Sequence, residues 1–149
     1  MRAVITRVNE ASVTIGGQET ARIGKGFLVL LGVHVSDTEA EADRIVDRIC
    51  GLRVFEDANG KMNVNPTDAG AELLIVSQFT LYGDCTHGNR PSFIAAARPE
   101  EANERYEQLV AAWRAQGIHV ETGRFRADMQ VSLVNDGPVT ILMDSTKAF

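Results

Sequence analysis

Two stretches of the chain place polar or conformationally restrictive residues where an apolar pattern has no ordinary use for them. Glu72 to Gly83, ELLIVSQFTLYG, begins as the apolar run of a buried strand and turns polar at Ser77, Gln78 and Thr80. Polar groups are costly to bury unpaired, so either local backbone satisfies these side chains or they form the floor of a pocket. With period-2 alternation Gln78 and Thr80 face one side, Ser77 and Phe79 the other. The second stretch, Val131 to Thr140, VSLVNDGPVT, sets Gly137-Pro138 inside a strand pattern. Proline has no N–H for a ladder, which predicts a turn, an edge or a strand start, and a hairpin between strands 129–134 and 139–143 satisfies this. Glycine also lets a ligand or another backbone come close.

Other reactive residues carry less. Cys85 and His87 in CTHGNRPSF would suit a nucleophile and its base, but such pairs are usually assembled from distant segments. Arg90 is either an anion contact or a solvated loop residue. TGRFRADM, Thr122 to Met129, flanks a Phe with two arginines, a pattern for stacking on a base and binding phosphate, or for a surface loop. His34 and His119 read as structural. Cys50 and Cys85 lack metal-ligand spacing and read as reduced thiols, and no metal site is expected.

The elements that must position these residues follow from patterning. AVITRVNEASVTIGG alternates about Asn9-Glu10 and ends in turn glycines, as in antiparallel strands. FLVLLGV, Phe27 to Val33, reads as a strand buried on both faces in mid-sheet. Ser36 or Asp37 caps a helix with Ala42, Ile45, Val46 and Ile49 on one face and Gly51 at its end. A second helix starts at Pro99, follows Ala102, Tyr106, Leu109, Val110 and Trp113, and stops at Gly117. Further strands are expected at 52–55, 71–80, 118–122, 129–134 and 139–143, with a turn at Asp57-Ala58-Asn59-Gly60. Strands outnumber helices without alternating regularly with them. The expectation is therefore an α+β fold, with a curved, barrel-like, mostly antiparallel sheet and two main helices, in a single domain over 1–149.

The 149 residues, 44% hydrophobic, suffice for one such core. The net charge of −5 comes from two acid-rich segments, 37–48 and 100–114, and the rest of the chain balances. That argues against DNA or any long nucleic acid as partner and leaves room for a small or terminal anionic ligand. No apolar run approaches the roughly 20 residues of a membrane span, and the N-terminal alternation is unlike a signal peptide, so no membrane partner and a cytoplasmic location are expected.

Ser77-Gln78-Phe79-Thr80-Leu81 together with Asn135-Asp136-Gly137-Pro138-Val139-Thr140 resemble the signature pair of the D-aminoacyl-tRNA deacylases, the D-Tyr-tRNA deacylase family. RVNEASVTI, GKMNVN, GNRPSF and TGRFRADMQVSLVNDGPVT extend the resemblance over essentially the whole chain. It implies a cofactor-free carboxylic ester hydrolase, homodimeric with active sites at the interface. Such an enzyme frees the acceptor end of aminoacyl-tRNA from a D-amino acid, and glycine from mischarged tRNA(Ala). It implies that Ser77, Gln78, Phe79 and Thr80 form the catalytic pocket, with water rather than Thr80 as nucleophile. Gly137 and Pro138 resemble a Gly-cisPro element that enters the partner's pocket and rejects L-amino acids, with Arg7 and Met129 bracing or lining it. Gly83 and Arg126 depart from the residues common in the family, and the isomer at Gly137-Pro138 is not legible in the sequence. Two alternatives stay open: a related editing deacylase acting on an L-amino acid, and a non-catalytic module that binds the tRNA acceptor end.

Overall fold

The computed structural model describes residues 1–148. Its order is β1 (Arg2–Ile15), β2 (Gln18–Ile23), β3 (Gly26–Gly32), α1 (Glu39–Cys50), β4 (Phe55–Glu56), β5 (Met62–Val64), β6 (Glu72–Ser77), a 3-10 turn (Phe79–Tyr82), α2 (Pro99–Ala115), β7 (Val120–Thr122) and β8 (Gln130–Asp144). The main sheet runs β2-β1-β3-β6-β7, with β8 on β1, while β4 and β5 form a separate ribbon.

The sheet is mixed. β1 is antiparallel to β2, β3 and β8, but β3-β6 and β6-β7 are parallel. A parallel pair needs a crossover connection, and the chain supplies one in each case: α1 with the β4-β5 ribbon lies between β3 and β6, and α2 between β6 and β7. The opening alternation belongs to one long strand rather than two. Its register against β8 shifts between Thr6 and Val8 and again between Val8 and Glu10, and such irregularities bend a strand. Burial changes phase there: Ala3 and Ile5 join the core under the helices, while Val8, Ala11 and Val13 join a second cluster with Leu28, Leu74 and Val76. One strand thereby contributes to both faces of the strongly curved, barrel-like sheet.

The helices form on the expected faces. Ala42, Ile45, Val46 and Ile49 of α1 are buried, and so are Ala102, Tyr106, Leu109, Val110 and Trp113 of α2. Each fully buried large side chain contributes about 1.5–3 kcal/mol. The α1 cap is Thr38, whose N–H donates to Glu41 Oε2 at 2.9 Å, rather than Ser36 or Asp37. Asp37 is engaged elsewhere, its Oδ2 accepting from the His34 N–H at 2.6 Å.

Three expected strands are shorter or displaced. The 52–55 strand is only Phe55–Glu56, the 118–122 strand is Val120–Thr122, and the 71–80 strand stops at Ser77. The hairpin expected around Gly137-Pro138 does not form. β8 continues from Gln130 to Asp144 through the pair, because the irregularity it requires is matched by the bend in β1. Among the described residues, no helix is long and apolar enough to cross a membrane.

Candidate active site

β6 carries the chain between β3 and β7, buried from Leu73 to Val76, and releases it at Ser77. The Gln78 N–H still donates to the Leu31 carbonyl at 2.8 Å, after which the chain tightens: Leu81 N–H donates to Gln78 O at 3.3 Å and Gly83 N–H to Thr80 O at 3.0 Å. The alternating apolar side chains of FTLY suit a strand, but the end of β3 lets them fold over it. A Cβ on Gly32 would stand 3.0 Å from Gln78 O and 3.2 Å from both Leu81 Cβ and the Tyr82 ring, so glycine makes the approach possible. The strict two-sided alternation expected for Ser77 to Thr80 therefore ends where the strand ends.

Arg2 clamps this turn from outside. Its Nη1 donates to Leu81 O at 3.1 Å, its guanidinium lies 4.7 Å from the Tyr82 ring centroid, and its Nε donates to Asp144 Oδ2 at 3.0 Å. Burial, with the Asp37 and Asp144 carboxylates nearby, pushes the Tyr82 phenol well up. Sequence reasoning missed Arg2 and Asp144 as supports of the site. Their contact spans 142 positions, and the sole local signal was an arginine beginning an apolar strand.

The turn borders a cavity of about 630 Å³. Ser77, Gln78, Phe79 and Met129 line it, with Phe93, Phe125 and Arg126. The walls are mainly apolar, with Phe79 and Phe93 meeting edge to face at 5.1 Å and 69°. Met129 sits against Gly123, where a Cβ would stand 2.6 Å from its sulfur. Thr80 lies beside the lining residues and is exposed, and its hydroxyl accepts a hydrogen bond from Gln78 Nε2. Among the described residues, the amides of Phe79 and Thr80 have no acceptor. These are the first N–H groups of the turn, which its own hydrogen bonding leaves over.

Arg7, Gly137 and Pro138 form a second group, which does not line this cavity. The Gly137-Pro138 bond is cis and Gly137 has φ +140°. Arg7 is buried beneath them; its Nε donates to Asp136 O at 3.2 Å, and Asn135 Nδ2 donates back to Arg7 O at 2.9 Å. Arg7 therefore braces this element, whereas Met129 belongs to the cavity. Gly137 and Pro138 are exposed, on a strand that also exposes Leu133, Val134 and Leu142.

The remaining reactive residues stay apart. Cys85 and His87 share no hydrogen bond among the described residues, and Cys50 is half-buried, with burial pushing its thiol up. His34 Nδ1 pairs with Ser36 Oγ at 2.8 Å, and His119 with Glu121 at 3.0 Å. No group of three or more His, Cys, Asp or Glu side chains among the described residues could hold a metal ion.

The chain is a curved mixed sheet with two helices, with a cavity at the turn that ends β6. It overlays with a TM-score of 0.84 on a solved structure described as that of a probable eukaryotic D-amino acid tRNA deacylase, covering 95% of this chain and 97% of that one; the 15% identity makes this a likeness of fold. The chain belongs to the D-Tyr-tRNA(Tyr) deacylase family, whose model matches residues 4–144. It is 60% identical to the D-aminoacyl-tRNA deacylase of Desulfitobacterium hafniense and 56% identical to that of Symbiobacterium thermophilum, over all of this chain and 100% and 99% of theirs. It is also similar to the solved structure of a c-Myc DNA Unwinding Element Binding Protein, with 42% identity, a TM-score of 0.90, and 97% and 98% of the two chains covered. The chain is thus an enzyme of the aminoacyl-tRNA ester hydrolase class.

Proposed function

We propose that this enzyme hydrolyses the ester joining a D-amino acid to the terminal adenosine of tRNA, releasing free tRNA and the D-amino acid. The observation that carries the reading is the pair of unpaired amides at Phe79 and Thr80, on the turn bordering the cavity. Water attack on the ester carbonyl builds negative charge on its oxygen, and preorganised backbone N–H groups stabilise that charge; one such donor is worth about 3–4 kcal/mol. The apolar wall with Phe79 and Phe93 suits the adenine base.

Water is the better nucleophile. Thr80 could act covalently only if a base took its proton, and its hydroxyl's partner is the Gln78 amide, which here donates. The attacking water is instead assisted by the substrate's ribose 2′-OH, which binding in the cavity holds beside the ester. Collapse of the tetrahedral intermediate breaks the bond from the carbonyl carbon to the ribose 3′ oxygen. That oxygen takes up the proton released by the attacking water and passed on through the neighbouring 2′-OH, so that a neutral 3′-OH and the free amino acid leave.

Selection against L-amino acids is assigned to Gly137-Pro138 of a second protomer, whose carbonyls receive the substrate α-amino group and leave no room for an L side chain. A homodimer with shared sites is supported by two features. The Gly-Pro element does not line its own chain's cavity, and β8, which carries it, pairs only with β1 among the described residues and exposes Leu133, Val134 and Leu142. Glycine has no side chain to reject, so glycine on mischarged tRNA(Ala) belongs among the substrates. The enzyme acts in the cytoplasm as a single domain without a cofactor. Comparing amino-acid release from D-Tyr-tRNA and L-Tyr-tRNA tests the reading, and separates it from an L-editing relative and from a module that binds without turnover.

A further inference from the structure

We propose that Arg126 is a substrate-anchoring residue that binds the phosphodiester immediately 5′ of the terminal adenosine; the inference rests on the deacylase reading above. Ala127 N–H donates to Arg124 O at 3.1 Å, closing a four-residue turn whose third position is Arg126, at φ +64°. That position favours glycine, since a Cβ is disfavoured in the left-handed region. A residue kept there against backbone preference points to a use for its side chain.

Its surroundings indicate the use. Arg126 is exposed and lines the cavity, and among the described residues it has no hydrogen bond or ion pair. It is the one cation among the described lining residues; Asp128, on the same wall, supplies the one acid. Preceding it, Phe125 forms part of the cavity wall and packs toward Tyr106, with ring centroids 6.3 Å apart. With the terminal adenosine against Phe79 and Phe93 and its ester at the Phe79-Thr80 amides, its 5′ phosphodiester runs out toward solvent past the cavity lining, of which Arg126 is the exposed cationic member. A guanidinium there matches phosphate with two parallel N–H donors, and contributes nothing toward a substrate that lacks the phosphate.

The test compares wild type, Arg126→Gly and Arg126→Lys on D-Tyr-tRNA(Tyr) and on 3′-O-D-tyrosyl adenosine, which carries no phosphate. Glycine suits the turn, so Arg126→Gly is expected to fold with an unchanged or higher Tm. Its KM for the tRNA substrate should rise about tenfold with little change in kcat. The ratio of kcat/KM for tRNA to that for the adenosine ester should fall by the same factor. The slope of log KM against log salt should drop by about 0.7, the share of one phosphate contact on a single strand. Arg126→Lys should recover part of both effects. An unchanged ratio in Arg126→Gly, or equal losses on the two substrates, would overturn the assignment while leaving the deacylase reading intact. Wild-type turnover of neither substrate would overturn both.

Discussion

The Arg7 guanidinium grips Asp136 twice: its Nε lies 3.2 Å from the backbone oxygen and 3.1 Å from Oδ2. The side chain is almost wholly buried, a further N–H reaches the Val54 carbonyl, and the residue's own carbonyl accepts from Asn135. A planar fork can serve acceptors in several directions, whereas an ammonium cannot reproduce that geometry. Arg7→Lys should therefore cost about 2 kcal/mol, a fall of about 4–8 °C in Tm. It should also lower D-aminoacyl-tRNA hydrolysis at temperatures where the variant remains folded. A lysine variant with wild-type Tm and rate would show that this brace is dispensable.

Thr80→Ala should retain deacylation within about tenfold of wild type, because the hydroxyl has no base to activate it. The check is the single-turnover rate on D-Tyr-tRNA, with tRNA binding measured alongside. Complete loss with binding and fold intact would make Thr80 a covalent nucleophile.

Gly137→Ala should reduce activity at least tenfold. At φ +140° a Cβ would stand 2.7 Å from Val139 N and 2.8 Å from Val139 Cγ2, so the segment has to shift before any substrate arrives. Strain of this kind costs about 1–3 kcal/mol, visible as a lower Tm. Wild-type kinetics in this variant would remove the residue from the site.

Elements specified by local sequence and elements specified by distant contacts differ in how legible they are in the chain alone. Pro99 and the apolar spacing from Ala102 to Trp113 specify α2 locally, and the unbroken run 27–33 marks β3 as central. The turn after Ser77 was hidden because Phe79-Thr80-Leu81-Tyr82 alternates like a strand; the room supplied by Gly32, some 50 positions away, decides otherwise. Likewise Gly137-Pro138 reads locally as a turn, and only the matching irregularity in β1 lets β8 run through it. The Ser77 to Phe79 cluster and Met129 could be named in advance, but that they share a cavity while Gly137 lies outside it is a tertiary fact.

Asp144 should govern part of the acid stability. Burial opposes its ionisation, but the Thr146 hydroxyl and N–H at 2.6 and 2.7 Å, Arg2 and the chain's amino group together hold its pKa down at about 2, from 3.8. Because the folded pKa is depressed, the stabilisation is present above about pH 4 and is lost as pH falls toward 2; it amounts to about 2 kcal/mol. Urea unfolding of wild type should show this loss, and Asp144→Asn should lack it while being less stable than wild type at pH 5. Parallel pH curves for the two proteins would contradict the assignment. Because Arg2 links Asp144 to Leu81, the variant should also loosen the turn at the cavity.

The most direct measurement is the rate at which the purified enzyme releases tyrosine from D-Tyr-tRNA(Tyr) and from L-Tyr-tRNA(Tyr), at one enzyme concentration and salt. The D ester should be lost rapidly, and the L ester should decay no faster than in buffer. Appreciable release of L-tyrosine would contradict chirality-based rejection, and a stable D ester would contradict the deacylase reading itself.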